Sequence, residues 1–110
     1  MKIVSSSSFG FSDPYRERIK PLLREVLAKW MFEMNTVENR EKIRLQIISI
    51  LKSNTFLRES QVVFHVLVHG ELSMLEAIIT YTVAYKGRDH RVTITATIDA
   101  KPSDCAVSNA

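Results

Sequence analysis

The spacing of apolar residues divides the chain into a helical first half and a strand-rich second half. Between residues 14 and 34, apolar side chains recur every three or four positions, which is the spacing of one buried helical face. The residues of this face are Ile19, Leu22, Leu23, Val26, Leu27, Trp30, Met31 and Met34. Asp13 followed by Pro14 is typical of a helix start, so we predict a first helix from Pro14, with a kink or restart at Pro21.

A second helix is predicted from residue 36 to residue 53. Asn35 has a side chain that suits an N-cap, and Glu38, three residues later, suits a capping box. Asn54 is predicted to end the helix. Leu45 and Ile48 widen the apolar stripe, which predicts burial on more than one side. The stripe itself consists of Val37, Ile43, Ile47, Ile50 and Leu51.

From Gln61 onward the apolar pattern is that of β-strands. Residues 62–69 are apolar on both faces, which predicts a central strand. Residues 77–86 and 90–99 are predicted to form a hairpin around Gly87. The fold class is therefore α+β, with two N-terminal helices packed on a small, mainly antiparallel sheet of three to four strands. We predict one domain over residues 13–100, with flexible arms at residues 1–12 and 101–110.

Composition limits the functions that the chain can have. The chain has 110 residues, 45% of them hydrophobic, and a net charge of +3 in which acidic and basic residues are mixed. This favours a solvated surface over a nucleic-acid patch, and no apolar run is long enough to span a membrane. Cys105 is the only cysteine, so an intrachain disulfide is excluded.

The residues that could carry chemistry do not form a known catalytic or metal-binding pattern. His65 and His69 are four residues apart on a predicted strand, about 13 Å, which is too far for one metal ion to bind both. No phosphate loop, paired-carboxylate signature or nucleophile elbow is present. The sequence predicts a non-enzymatic protein with no cofactor, and hence one that binds other proteins.

Two segments are candidates for such binding. Lys2-Ile3-Val4 is strand-prone and precedes a serine-rich stretch, so it suits addition to the sheet edge of a neighbouring subunit. The second segment runs from Phe32 to Arg40, where one helix ends and the next begins, and Glu33 and Glu38 are the nearest acidic candidates to pair with Arg40. The predicted interaction residues are Ile3, Val4, Phe32, Glu33, Asn35 and Arg40.

Over roughly residues 19 to 99, the chain resembles the C-terminal domain of contractile-tail sheath proteins of bacteriophages. The likeness consists of Phe32-Glu33-x-Asn35, Arg40 five residues later, an amphipathic helix to Leu51 and a Phe64-x-Val66 strand. In that family this inner domain lies against the tail tube and exchanges terminal strands with its neighbours. Standing alone, it is similar to the small sheath-initiator proteins of the baseplate.

The resemblance implies a structural virion protein, made in the host cytoplasm, whose partners are copies of itself in a ring and sheath, tube or baseplate proteins. Three alternatives remain open from the sequence, and one is an enzyme whose titratable pair would come from His65, His69, His90 and the glutamates. A tail terminator or neck (head-tail connector) ring protein has a similar order of helices and strands. A small basic nucleic-acid-binding regulatory protein would account for the isoelectric point of about 9.2.

Overall fold

Two helices lie against one face of a four-stranded antiparallel sheet. The computed structural model describes residues 1–7, 13–53 and 62–102. The strands are hydrogen-bonded in the order β1-β4-β3-β2, and the α+β class predicted from the sequence is confirmed. In chain order the elements are β1 (Lys2–Ser7), α1 (Arg16–Trp30), α2 (Val37–Ser53), β2 (Val62–Glu71), β3 (Met74–Tyr85) and β4 (Arg88–Asp99).

The chain begins with a strand, which corrects the prediction that the two helices come first after a flexible arm at residues 1–12. Strand β1 pairs antiparallel with β4, with Lys2 opposite Thr97 and Ser7 opposite Val92. This pairing gives partners to the main-chain groups of β4, which would otherwise form an open edge. Residues 8–12, and residues 103–110 of the predicted C-terminal arm, lie outside the described residues.

Both helices start later than their predicted caps indicate. Helix α1 begins at Arg16 rather than Pro14, because Asp13 Oδ1 accepts a hydrogen bond from the Tyr15 amide at 3.0 Å and holds this turn outside the helix. The helix then continues through Pro21 to Trp30. Helix α2 is capped by Thr36, not Asn35, since Thr36 Oγ1 accepts from the Asn39 amide at 3.0 Å. The predicted cap at residue 54 lies outside the described residues.

Among the described strands, β2 lies at the edge of the sheet, so its prediction as a central strand was wrong. Strands β3 and β4 occupy the middle of the sheet, and their predicted hairpin is confirmed. Its turn is Lys86-Gly87, where both residues have positive φ, 50° and 75°, as a type I′ turn requires. Apolar residues on both faces of β2 do not indicate full burial here, because no described helix covers the second face.

The core lies between the helices and the inward face of the sheet. Its buried side chains are Ile19, Leu23, Val26, Leu27, Ile43, Ile47, Leu51, Leu75, Ala77, Ile79, Tyr81, Val83, Val92, Ile94, Ala96, Ile98 and Ala100. We call the opposite side of the sheet the open face. Leu45 on α2 is 52% exposed, so the second buried side predicted for this helix is not provided by the described residues. Neither described helix has the length and apolar character needed to cross a membrane.

Candidate interaction site

The junction between α1 and α2 is bonded to the chain that follows β4. The Phe32 amide donates to the Asp99 carbonyl at 3.0 Å, and the Asn35 amide donates to the Lys101 carbonyl at 2.7 Å. Lys101 in turn donates its amide to the Glu33 carbonyl at 2.9 Å, which gives a short parallel bridge. Residues 32–35 therefore extend the secondary structure at one end of the sheet.

Asn35 is the centre of this junction. It is only 7% exposed, and its side-chain amide donates to the carbonyls of Glu71 and, at 3.2 Å, Met74. Its side-chain oxygen accepts from Arg40 Nη1. We call Asn35, Arg40 and these two carbonyls the Asn35 node. The node joins the start of α2 to both sides of the turn between β2 and β3.

Arg40 is bonded differently from the sequence prediction. Its guanidinium donates to Asn35 rather than pairing with Glu33 or Glu38. Glu38 instead lies 3.2 Å from Lys42 Nζ, one helical turn later on the exposed surface. An exposed ion pair of this kind contributes at most about 1 kcal/mol, so the hydrogen bond inside the node is the more consequential of the two.

The remaining predicted residues lie at the end of α1 and on β1. Phe32 adopts a left-handed backbone conformation, with φ of 63°, and both Phe32 and Glu33 are exposed. On β1, Ile3 packs against the core while Val4 is 50% exposed on the open face. Because Lys2 lies opposite Thr97, the start of β1 is at the same end of the sheet as the junction. The six residues therefore share one end of the molecule, although they do not form one pocket.

Gly70 is required beside the Asn35 node. A Cβ at this position would lie 2.9 Å from Leu75 Cδ2 and 3.0 Å from Asn35 Nδ2, and closer still to the Met74 carbonyl oxygen. We expect Gly70→Ala to lower the free energy of unfolding by about 1–3 kcal/mol, the usual cost of overpacking. Urea denaturation measures this loss. Gly87→Ala is the comparison, because a Cβ at Gly87 meets nothing within 4 Å and the substitution is disfavoured only by the positive φ of that residue. A smaller loss for Gly70→Ala than for Gly87→Ala would contradict this packing.

A buried pair that the sequence did not reveal connects the start of α1 to the sheet. Asp13 is 4% exposed, and its Oδ2 accepts a hydrogen bond from the hydroxyl of fully buried Tyr81. Burial, and secondly this hydrogen bond to Asp13, raise the pKa of the Tyr81 hydroxyl far above its usual value. The available signal was weak, because Tyr81 is simply one of the inward positions in the alternation of β3.

The histidines of β2 lie on the open face. His69 Nε2 is 2.9 Å from Glu76 Oε1, which occupies the opposite position on β3. Among the described residues, no three His, Cys, Asp or Glu side chains are grouped so that they could hold a metal ion. The geometry thus offers two kinds of contact surface, namely the strand β1 and the sheet end that carries the junction.

No protein-family model matches the chain, and no significantly similar curated protein or solved structure is found.

Proposed function

We propose that the protein is a non-enzymatic structural component of a contractile phage tail, of the sheath or sheath-initiator type, and that its subunits assemble in the virion by exchanging strand β1. The observation that carries the proposal is the attachment of β1. This terminal strand is paired with β4 along its whole length, from Lys2 to Ser7. A neighbouring subunit can supply the same strand in the same register, as in other strand-addition complexes.

The composition of β1 makes such an exchange inexpensive in free energy. Of its six residues, only Ile3 packs against the core, while Val4 is half exposed and the last three residues are serines. Most of its attachment is therefore main-chain hydrogen bonding, which is identical within one subunit and between two. Exchange leaves the number of these bonds unchanged, so the equilibrium depends on concentration and on the chain that links β1 to α1.

The Asn35 node supports the resemblance on which the proposal draws. Asn35 and Arg40, whose spacing belongs to the sheath-like motif, are hydrogen-bonded to each other at the start of α2. This hydrogen bond gives the spacing of the two residues a structural role in holding α2 on the sheet. The exposed charges of α1 do not favour a nucleic-acid partner, because Glu17 lies 3.4 Å from Arg16 and 3.8 Å from Lys20.

Disulfide trapping tests the exchange directly. Val4 and Thr95 are directly opposite on the paired strands, which places their Cα atoms about 4.5–5.5 Å apart, a distance that a disulfide can bridge. In a Cys105→Ser background, we expect a mixture of Val4→Cys and Thr95→Cys chains to give disulfide-linked dimers. Such dimers need β1 of one chain on β4 of another.

The matched control shifts the register. Lys2→Cys chains mixed with Thr93→Cys chains place the two sulfurs four residues apart, about 13 Å along the strands, so no dimer is expected. A single chain carrying both Val4→Cys and Thr95→Cys tests whether β1 pairs with β4 of the same subunit. If this double variant forms an internal disulfide while the mixture stays monomeric, β1 stays on its own subunit and strand exchange is excluded.

A further inference from the structure

We infer that the free edge of β2 pairs with the β2 edge of a second copy, antiparallel about a twofold axis at Leu67, so that two sheets form one continuous sheet. Strand β2 is at the opposite edge of the sheet from β1, and this inference does not depend on the proposed tail function. Strand β2 pairs with β3 from Val62 to Glu71, and no described residue pairs with its other edge.

The β2 edge lacks the features by which proteins usually prevent such pairing. Proline, lysine and β-bulges disrupt or repel an added strand. Strand β2 has ten residues without proline or lysine, and its register with β3 is constant from end to end, so it contains no bulge. The opposite edge strand, β1, is shorter, carries Lys2 and ends in serines.

The sequence of β2 is self-complementary in this register. Paired residues must lie on the same face of the sheet, and placing Leu67 opposite the partner's Leu67 satisfies this condition. Phe64, the largest side chain described on the strand, then lies opposite the partner's Gly70, the smallest. Val66 lies opposite the partner's Val68, and β-branched pairs of this kind stabilise neighbouring strands.

The open face gives a second reason to place the axis at Leu67. One row across the sheet contains Val4, Thr95, Ile78 and Leu67, each directly opposite the next. Leu67 ends this largely apolar row at the β2 edge and is 57% exposed. Contact with the partner's Leu67 continues the row across the axis and removes apolar surface from water.

One flank of helix α2 lies away from α1 and could also contact the second copy. Gln46 on α2 accepts a hydrogen bond from Trp30 Nε1 at 2.9 Å, which places α1 on that side of α2. At 3.6 residues per turn, Val37, Arg44 and Ile48 lie on the opposite flank, away from α1. In a twofold sheet this flank faces the partner's α2, which would cover Val37, 75% exposed, and Ile48.

Symmetric disulfide trapping tests this interface in the full chain with Cys105→Ser. Because Leu67 faces its own copy, Leu67→Cys alone should give a disulfide-linked dimer. His65→Cys alone and His69→Cys alone should stay monomeric, since each residue is about 13 Å from the same residue in the second copy. A mixture of these two variants should cross-link, because residue 65 lies opposite residue 69 of the partner. Cross-linking of either histidine variant with itself, or none with Leu67→Cys, overturns the inference.

A charge variant provides a measurement without cross-linking. Leu67→Lys places two like charges opposite each other at the axis, so sedimentation should show dimerisation weakened at least about tenfold, with an unchanged circular dichroism spectrum. Leu45→Lys is the matched control, because Leu45 is 52% exposed on α2 and is not part of the β2 edge. A wild-type chain that is monomeric throughout, or equal weakening by both variants, overturns the inference. Trapping of β1 on β4 is a separate result, since it uses the other edge.

Discussion

Replacing Asn35 with alanine is expected to lower the free energy of unfolding by about 2–4 kcal/mol, because the change removes three hydrogen bonds made by a residue that is only 7% exposed. The amide of Asn35 satisfies the carbonyls of Glu71 and Met74, and its oxygen satisfies Arg40. A loss of this size is a large fraction of the stability of a small domain. It should appear in urea denaturation as a lower midpoint with little change in slope.

Asn39→Ala is the matched control for this prediction. Asn39 lies on α2 next to Arg40, is half-buried, and donates its side-chain amide to one carbonyl, that of Met34, at 2.8 Å. Its replacement is expected to cost about 0.5–1.5 kcal/mol. Asn35→Asp should be at least as harmful as Asn35→Ala, because a carboxylate cannot donate to the two carbonyls. Equal effects of Asn35→Ala and Asn39→Ala would show that the node does not hold the junction to the sheet.

Tyr81→Phe is expected to lower the free energy of unfolding at pH 7 by about 1.5–3 kcal/mol, the usual contribution of a hydrogen bond to a charged group. The change removes the hydroxyl that donates to buried Asp13 and leaves that carboxylate with the Tyr15 amide at 3.0 Å. Chemical denaturation measures the loss. Tyr85→Phe is the control, because Tyr85 is exposed near the β3–β4 turn and a surface change of this kind usually shifts stability by less than about 0.5 kcal/mol.

The same variant should change how stability depends on alkaline pH. Folding raises the pKa of the Tyr81 hydroxyl, chiefly by burial, whereas in the unfolded chain this group titrates near pH 10. Stability from the protonated hydroxyl is therefore complete below about pH 10. Above that pH it falls by about 1.4 kcal/mol per unit, because the unfolded chain loses a proton that the folded chain keeps. The difference between wild type and Tyr81→Phe should shrink from pH 10 to pH 11.5, and a constant difference would contradict the buried pair.

The sequence correctly predicted those elements whose structure is determined by the spacing of nearby residues. The three-and-four spacing from Ile19 to Trp30 predicted α1, and the alternation around Gly87 predicted the β3–β4 hairpin, because both patterns depend on neighbours in the chain. Lys2-Ile3-Val4 was recognised as strand-prone, but its pairing with β4 of the same chain was missed, because the serines that complete β1 have little strand propensity of their own. Its structure depends on pairing with β4, about ninety residues away in sequence.

The candidate site was predicted in part, for the same physical reason. Asn35 was named from the sequence as a cap and as an interaction residue, but its role as a cap was wrong, because Thr36 takes that role. The side chain of Asn35 instead bonds carbonyls 36 and 39 residues later, which no local motif can indicate. Similarly, the apolar residues on both faces of β2 predicted a strand but could not show that it lies at the edge of the sheet.

The central claim is that β1 is held by main-chain pairing that another molecule can supply, and strand complementation tests it most directly. A chain lacking residues 1–7 is expected to stay folded, to lose assembly, and to bind a labelled peptide of residues 1–7. The same peptide with Val4→Pro should bind less, since proline removes a main-chain donor and restricts the backbone. Binding measured by fluorescence anisotropy, together with a monomeric mass for the truncated chain, would agree with the account. A truncated chain that assembles like the full chain, or that does not bind the peptide, would contradict it.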